Sequence, residues 1–206
     1  MAKRTKAEAM QTRQNILDAA LEIFFEKNYS EVKITEIASK IGLTKGAVYW
    51  HFKNKDEILQ ALINETFIKS GAETAKKLKE IDSFEKVRYY SKDVLNGIKV
   101  EDKNVKLYQI MLWKRGWPQE MQDKVNTLVK DFIDKERNEF LILVKKAQEA
   151  GQLKESVNAV VLADMLVAMI NGFARLEVAG QLTGDLNPSV DMFFDALDGA
   201  FCESKK

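Results

Sequence analysis

Cysteine is almost absent from this chain: Cys202 is the single one among 206 residues. One thiol excludes an intramolecular disulfide and any cysteine-built metal centre, and it fits a reducing, cytoplasmic setting. Cys202 itself reads as a small buried hydrophobe or an incidental surface thiol. Histidine is equally scarce. His51 has no second imidazole and no suitable thiol with which to complete a metal or nucleophile site, so neither a cofactor nor a catalytic residue is expected. Two prolines and ten glycines leave little material for long loops. Long apolar runs are missing too. The most apolar stretch, VVLADMLVAMI, spans about half a bilayer and contains Asp164, so it reads as a buried helix and no membrane partner is expected. The N-terminal MAKRTKAEAMQTRQ is basic and polar with no apolar segment behind it, unlike a targeting signal.

What is present is the composition of a soluble globular protein, with 46% hydrophobic and 31% charged residues. The net charge is only +1. Its distribution is uneven: residues 1–56 hold ten Lys and Arg against seven Asp and Glu, and residues 57–206 hold 22 against 24. The positive potential therefore sits at the N-terminal end.

Apolar residues recur at helical spacing throughout, and no run of alternating β-branched residues interrupts them, so the fold class is all-α with about nine helices. The first covers about 7–27, with Ile16, Ala19, Ala20, Ile23 and Phe24 as its inward stripe. Two short helices follow at about 34–41 and 45–51, separated by Gly42-Leu43-Thr44. Gly42 suits a left-handed C-cap, and Thr44 can accept from the exposed N–H groups of the next helix. The fourth helix is expected over about 55–79. Ser83 is the expected cap of a fifth running to Val100, and a sixth starts near Lys103 and ends at Arg115-Gly116. Pro118 fits the first position of a seventh that stops at Gly151. An eighth spans about 157–179, and a ninth begins near Pro188.

Two short helices joined by a tight glycine-containing turn, behind a longer supporting helix, form a helix-turn-helix plan. Such a unit lays its second helix in the DNA major groove with its N-terminal residues toward base edges. On this plan Thr44, Lys45 and Ala47 face the groove, Gly46 permits close backbone approach, and Val48 and Phe52 turn into the core. Tyr49 and His51 fall beside phosphates, although either ring could also serve the core, and Trp50 reads as a core aromatic.

The run TKGAVYWHFKNKDEIL, preceded by ITEIASKIG, resembles the DNA-binding signature of the TetR family of bacterial transcriptional regulators, in particular its multidrug-responsive AcrR-like branch. The match covers residues 13–62. The resemblance implies that Thr44, Lys45, Tyr49, His51 and Lys55 meet DNA, with Tyr49, His51 and Lys55 on phosphates. A phenol, an imidazole and an ammonium beside the N-terminus of a helix agree with that role. Where the family often places a capping threonine, this chain has Lys33, which cannot cap a helix, so either the capping weakens there or a direct ionic contact replaces it. Thr35 stands where some members reach a base. Lys3, Arg4 and Lys6 form either an arm toward the minor groove or a solubilising tail.

The division expected from these features is a DNA-binding domain over 1–54 and a regulatory domain over 55–206. The eighth helix is apolar on more than one stripe, through Leu162, Leu166, Val167, Ile170 and Phe173, and so must bury two faces. In the family that it resembles, the last two helices pair across a two-fold axis. The implied homodimer would read a palindromic operator on double-stranded DNA, its half-sites ~34–36 Å or more apart. Within the regulatory domain Glu136 interrupts the inward stripe that holds Phe132 and Phe140, and Glu177 shares a face with Phe173. With Tyr108, Met111, Trp113 and Trp117 these residues are candidates for an aromatic pocket with inward acids, suited to a small amphipathic or cationic effector. The alternative for Glu136 is an internal ion pair with Arg175 or a lysine, or a position turned to water.

These features describe a ligand-responsive, homodimeric DNA-binding regulator, most simply a repressor, in the cytoplasm. A helical small-molecule binding protein with a non-functional helix-turn-helix is the alternative. An all-α enzyme lacks a nucleophile and base, paired metal ligands and a phosphate loop.

Overall fold

The computed structural model describes residues 5–98, 102–114 and 116–202. Among them the chain is helical throughout, in the order α1 (Lys6–Glu26), a 3-10 turn (Tyr29–Glu31), α2 (Ile34–Lys40), α3 (Lys45–His51), α4 (Lys55–Lys79), α5 (Glu85–Asn96), α6 (Lys103–Trp113), α7 (Gln119–Glu149), α8 (Ala159–Val178) and α9 (Leu186–Phe201). Two compact units emerge, one drawn from Met1–Phe67 with Glu101–Leu128 and the other from Ile68–Val100 with Val129–Lys206. The expected arm residues Lys3 and Arg4, the expected helix end at Val100 and the expected stop at Arg115 lie outside the described residues.

In the first unit α1 starts with a reciprocal cap: Glu8 N donates to Thr5 Oγ1 at 3.2 Å, and Thr5 N donates to the Glu8 carboxylate at 2.7 Å. Its stripe of Ile16, Ala19, Ala20, Ile23 and Phe24 is buried as the spacing predicts, and α1 packs on α2 and α6. In the second unit α5 packs on α8 and α9. The core there joins Val87, Leu95, Phe140, Leu162, Leu166, Ile170 and Phe194. Arg88 ties α5 to α9 through Asp195 and Asp198, both at 2.8 Å. On length and composition alone α8 could cross a membrane, yet Leu162, Leu166 and Ile170 are spent on this core.

Several helix ends differ from their sequence-based positions. Ser83 does not cap α5: Phe84 stands at the N-cap, and its N–H goes to Gln152 Oε1 at 2.8 Å, so a side chain distant in sequence takes up the donor. α5 stops at Asn96, before Gly97. Pro118 precedes α7 rather than opening it, its carbonyl accepting from Met121 N and Gln122 N at 3.0 and 3.1 Å. α9 begins at Leu186, so Pro188 sits inside its first turn, where a missing N–H costs nothing.

Candidate nucleic-acid interface

The geometry of the interface starts with the turn. Gly42 has φ +67°, a backbone that only glycine adopts freely. Its N–H donates to Ser39 O at 3.2 Å and Leu43 N–H donates to Ala38 O at 2.9 Å, the paired bonds of a Schellman stop. Thr44 then opens α3 by accepting from Ala47 N at 3.2 Å. The last residue of α2 and the cap of α3 are therefore only four positions apart, and the angle between the two helices is set by backbone chemistry. At the front of α2, Lys33 N–H donates to the Glu36 carboxylate at 3.2 Å. Glu36 thus takes over part of the capping that a lysine cannot perform, and its other oxygen holds Lys27 at 2.8 Å, which keeps its carboxyl below the ordinary range.

Ile37, Ala38, Val48 and Phe52 close the small core beneath the turn, with Val48 completely buried. Arg13 on α1 lies 5.0 Å from the Phe52 ring centre and pairs with Glu65 on α4 at 2.5 Å. Nothing in the sequence around Arg13 singles it out, because its two partners lie far along the chain.

On the outer side Lys33, Thr35, Thr44, Lys45 and Gly46 are exposed and Ala47 is half-buried. The Lys45 ammonium stands 5.5 Å from the centre of the exposed Tyr49 ring. Trp50 is not a core residue. It is 73% exposed, because Val48 and Phe52 take the two inward positions of this short helix and leave position 50 on the opposite side. His51 is half-buried, its ring edge-on to Trp50 at 4.6 Å.

Lys55 also departs from expectation. Its ammonium turns inward and donates to the carbonyls of Tyr29, Ser30 and Val32 at 2.6, 3.3 and 3.2 Å, over the Tyr29 ring at 4.4 Å. Its three protons match three acceptors, so a phosphate would have to displace a carbonyl. The Tyr29 hydroxyl donates to the neighbouring Asp56 carboxylate, and burial together with that bond pushes the phenol well above its ordinary pKa. Asn54 caps α4, accepting from Glu57 N at 2.8 Å.

The expected effector residues divide between the units. Tyr108, Met111 and Trp113 belong to the first, where Trp113 is 48% exposed and stacks on Phe25 at 6.2 Å. Phe132, Glu136, Phe140, Phe173 and Glu177 belong to the second. Glu136 is inward as expected, at 7% exposure, but Arg175 is exposed and is not its partner. Asn171, one turn earlier on the same face of α8, donates to Glu136 Oε2 at 3.0 Å. Burial raises the Glu136 carboxyl, and the Asn171 bond offsets part of that. Beside it the Tyr90 phenol, pushed up to about 12 mainly by burial, packs edge-on to Phe140 at 6.1 Å. Phe132 lies 3.6 Å from where a side chain on Gly71 would begin, so α4 and α7 approach closely there. Phe173 and Glu177 are half-buried.

A stop, a cap and a second helix presenting its N-terminal residues outward make the first unit a helix-turn-helix DNA-binding module. Residues 16–62 match the family described as "Bacterial regulatory proteins, tetR family". This segment is thus a TetR-family DNA-binding domain, and along nearly its whole length the chain is similar to regulators of that family, which are DNA-binding proteins and not enzymes. It is 27% identical over 202 residues, 96% of each chain, to the HTH-type transcriptional regulator TtgR of Pseudomonas putida. It is 54% identical over 63 residues, 31% of this chain and 30% of the relative, to the HTH-type transcriptional regulator SrpR, also of Pseudomonas putida. Among solved structures, SmeT, the repressor of the Stenotrophomonas maltophilia multidrug efflux pump SmeDEF, superposes with a TM-score of 0.68 at 26% identity, covering 93% of this chain and 91% of SmeT.

Proposed function

We propose that this chain is a homodimeric, cytoplasmic repressor that binds a palindromic operator on double-stranded DNA and leaves it when a small amphipathic or hydrophobic molecule binds. The observation that carries the reading is the outward N-terminal face of α3, with Thr44, Lys45 and Gly46 exposed over a core sealed by Val48 and Phe52. In this reading residues 1–54 bind DNA and residues 55–206 bind the effector and dimerise. Lys45 and Ala47 read base edges, with Thr35 a looser reader from α2. Thr44 faces the groove with them, Lys33, Tyr49 and His51 meet phosphates, and Trp50 lies beside these. Lys55 acts from behind by holding the frame.

Dimerisation through α8 and α9 is supported by apolar side chains left in water: Val160 and Val161 at about half exposure, Leu176 at 38% and Met192 at 75%. The effector reading is supported by Glu136, buried and accepting from the half-buried Asn171, in a unit whose apolar core includes Tyr90 and Phe140. SmeT is the repressor of a multidrug efflux pump, and that likeness favours an amphipathic effector here. Release follows from linkage: an effector that binds best to a dimer with wrongly spaced α3 helices shifts the population away from the operator-bound form.

Selection of bound sequences from a pool of random duplexes at near-physiological salt tests the reading. A palindromic winner establishes a sequence-specific dimer. No enriched site, alongside tight small-molecule binding, overturns it in favour of a binding protein whose helix-turn-helix has no operator.

A further inference from the structure

A cavity of about 120 Å³ lies within the first unit, where the C-terminal end of α1 and the 3-10 turn meet the end of α6 and the segment after it. It is too small for a drug-sized molecule, whose pockets start at about 300 Å³. Phe25, Tyr29, Trp113 and Trp117 supply aromatic walls, and Glu26 and Glu31 supply carboxylates. The shape is held by close packing: Gly116, at φ +72°, leaves only 3.1 Å between the start of any added side chain and Ser30 Oγ.

The electrostatics favour a positive guest. The negative end of the 21-residue α1 helix faces this region, and no basic residue occupies its last turn. Lys27 also lines the cavity, but its ammonium is held by Glu36 at 2.8 Å, and Lys40 approaches Glu26 only to 4.0 Å. Two of the aromatic walls are already engaged by cations, the Lys106 ammonium at 5.7 Å from the Phe25 ring centre and that of Lys55 at 4.4 Å from the Tyr29 centre, so a guest would rest on Trp113 and Trp117. Trp113, 48% exposed, stands where a solute can reach it. Aromatic faces with nearby carboxylates bind alkylated ammonium groups, which have few protons to satisfy and a weakly held hydration shell.

We infer that this cavity is a second ligand site, for a small alkylated ammonium cation. It shares Trp113 and Trp117 with the residues that the sequence suggests for an effector pocket, but it is separate in composition from the Glu136 region of the second unit, on which the proposed effector site rests.

The test is a titration of the full chain with tetramethylammonium at constant ionic strength, following the methyl signal of the probe by NMR, with tert-butanol as a competitor of similar shape and no charge. Saturable binding that tert-butanol leaves intact is expected, weakened about threefold or more by Trp113→Ala and by Glu31→Gln. Glu31→Gln keeps the shape of the side chain and an oxygen that can still accept from Asn28 N, which Glu31 holds at 3.1 Å, so its effect stands even if Trp113→Ala disturbs packing; circular dichroism checks both. Absence of saturable binding, equal competition by tert-butanol, or binding unchanged in both variants would overturn the assignment.

Discussion

The Lys55 ammonium donates to the Tyr29 carbonyl at 2.6 Å, and the carboxylate of the next residue, Asp56, accepts a hydrogen bond from the Tyr29 hydroxyl. Two consecutive residues at the start of α4 thus grip one residue of the 3-10 turn at both its backbone and its side chain. The turn leads directly into α2, so the front of the helix-turn-helix is fastened to α4.

Lys55→Ala should therefore act first on stability. Losing a charged donor from three carbonyls is expected to cost about 2 kcal/mol, read as a lower urea midpoint. The salt dependence of operator binding should stay as in the wild type. A slope lower by about one unit would instead return Lys55 to the phosphates.

Gly46→Ala separates folding from DNA contact. A methyl group at position 46 would meet nothing closer than Thr44 Oγ1 at 3.9 Å outside its chain neighbours and its own helix backbone, and alanine favours helix over glycine by up to about 1 kcal/mol. The variant should melt no earlier than the wild type yet bind operator at least tenfold more weakly. Undiminished binding would show that the backbone at 46 does not approach DNA closely.

Lys45→Ala should flatten sequence preference. If its ammonium reads base edges, discrimination at one operator position should fall by about 1–3 kcal/mol, with the competing bases becoming nearly equivalent. A uniform loss across all sequences would place Lys45 on phosphate alone.

Glu136 should leave a signature in the pH dependence of stability. Its folded-state pKa is raised above the ordinary 4.5, so the folded chain holds this proton more tightly than the unfolded chain does. The contribution is present below the unfolded pKa and is lost as pH rises through the folded one. Glu136→Gln, which is neutral and can still accept from Asn171, should gain stability over the wild type as pH climbs from about 4 to 7. A difference in urea midpoint that stays constant over that range would contradict the burial.

Local chemistry is legible wherever its partners lie within a few residues. Gly42 and Thr44 set the stop of α2 and the start of α3 through bonds spanning three to five residues, and the α1 stripe follows from helical spacing. Glu136, placed between Phe132 and Phe140 at multiples of one turn, is assigned inward for the same reason. Trp50 escapes this logic, because periodicity over a seven-residue helix does not fix how that helix is rotated against its support.

Amino-acid order alone determined an all-α chain, a helix-turn-helix near its N-terminus and a family resemblance over residues 13–62, because caps, turns and helical stripes are local. Tertiary structure decided the rest. It turned Lys55 inward onto Tyr29, gave Glu136 to Asn171 rather than Arg175, and brought Arg13 over Phe52. Each of those contacts joins residues 26 to 39 positions apart, and only the packed helices determine which of several possible partners stands within reach.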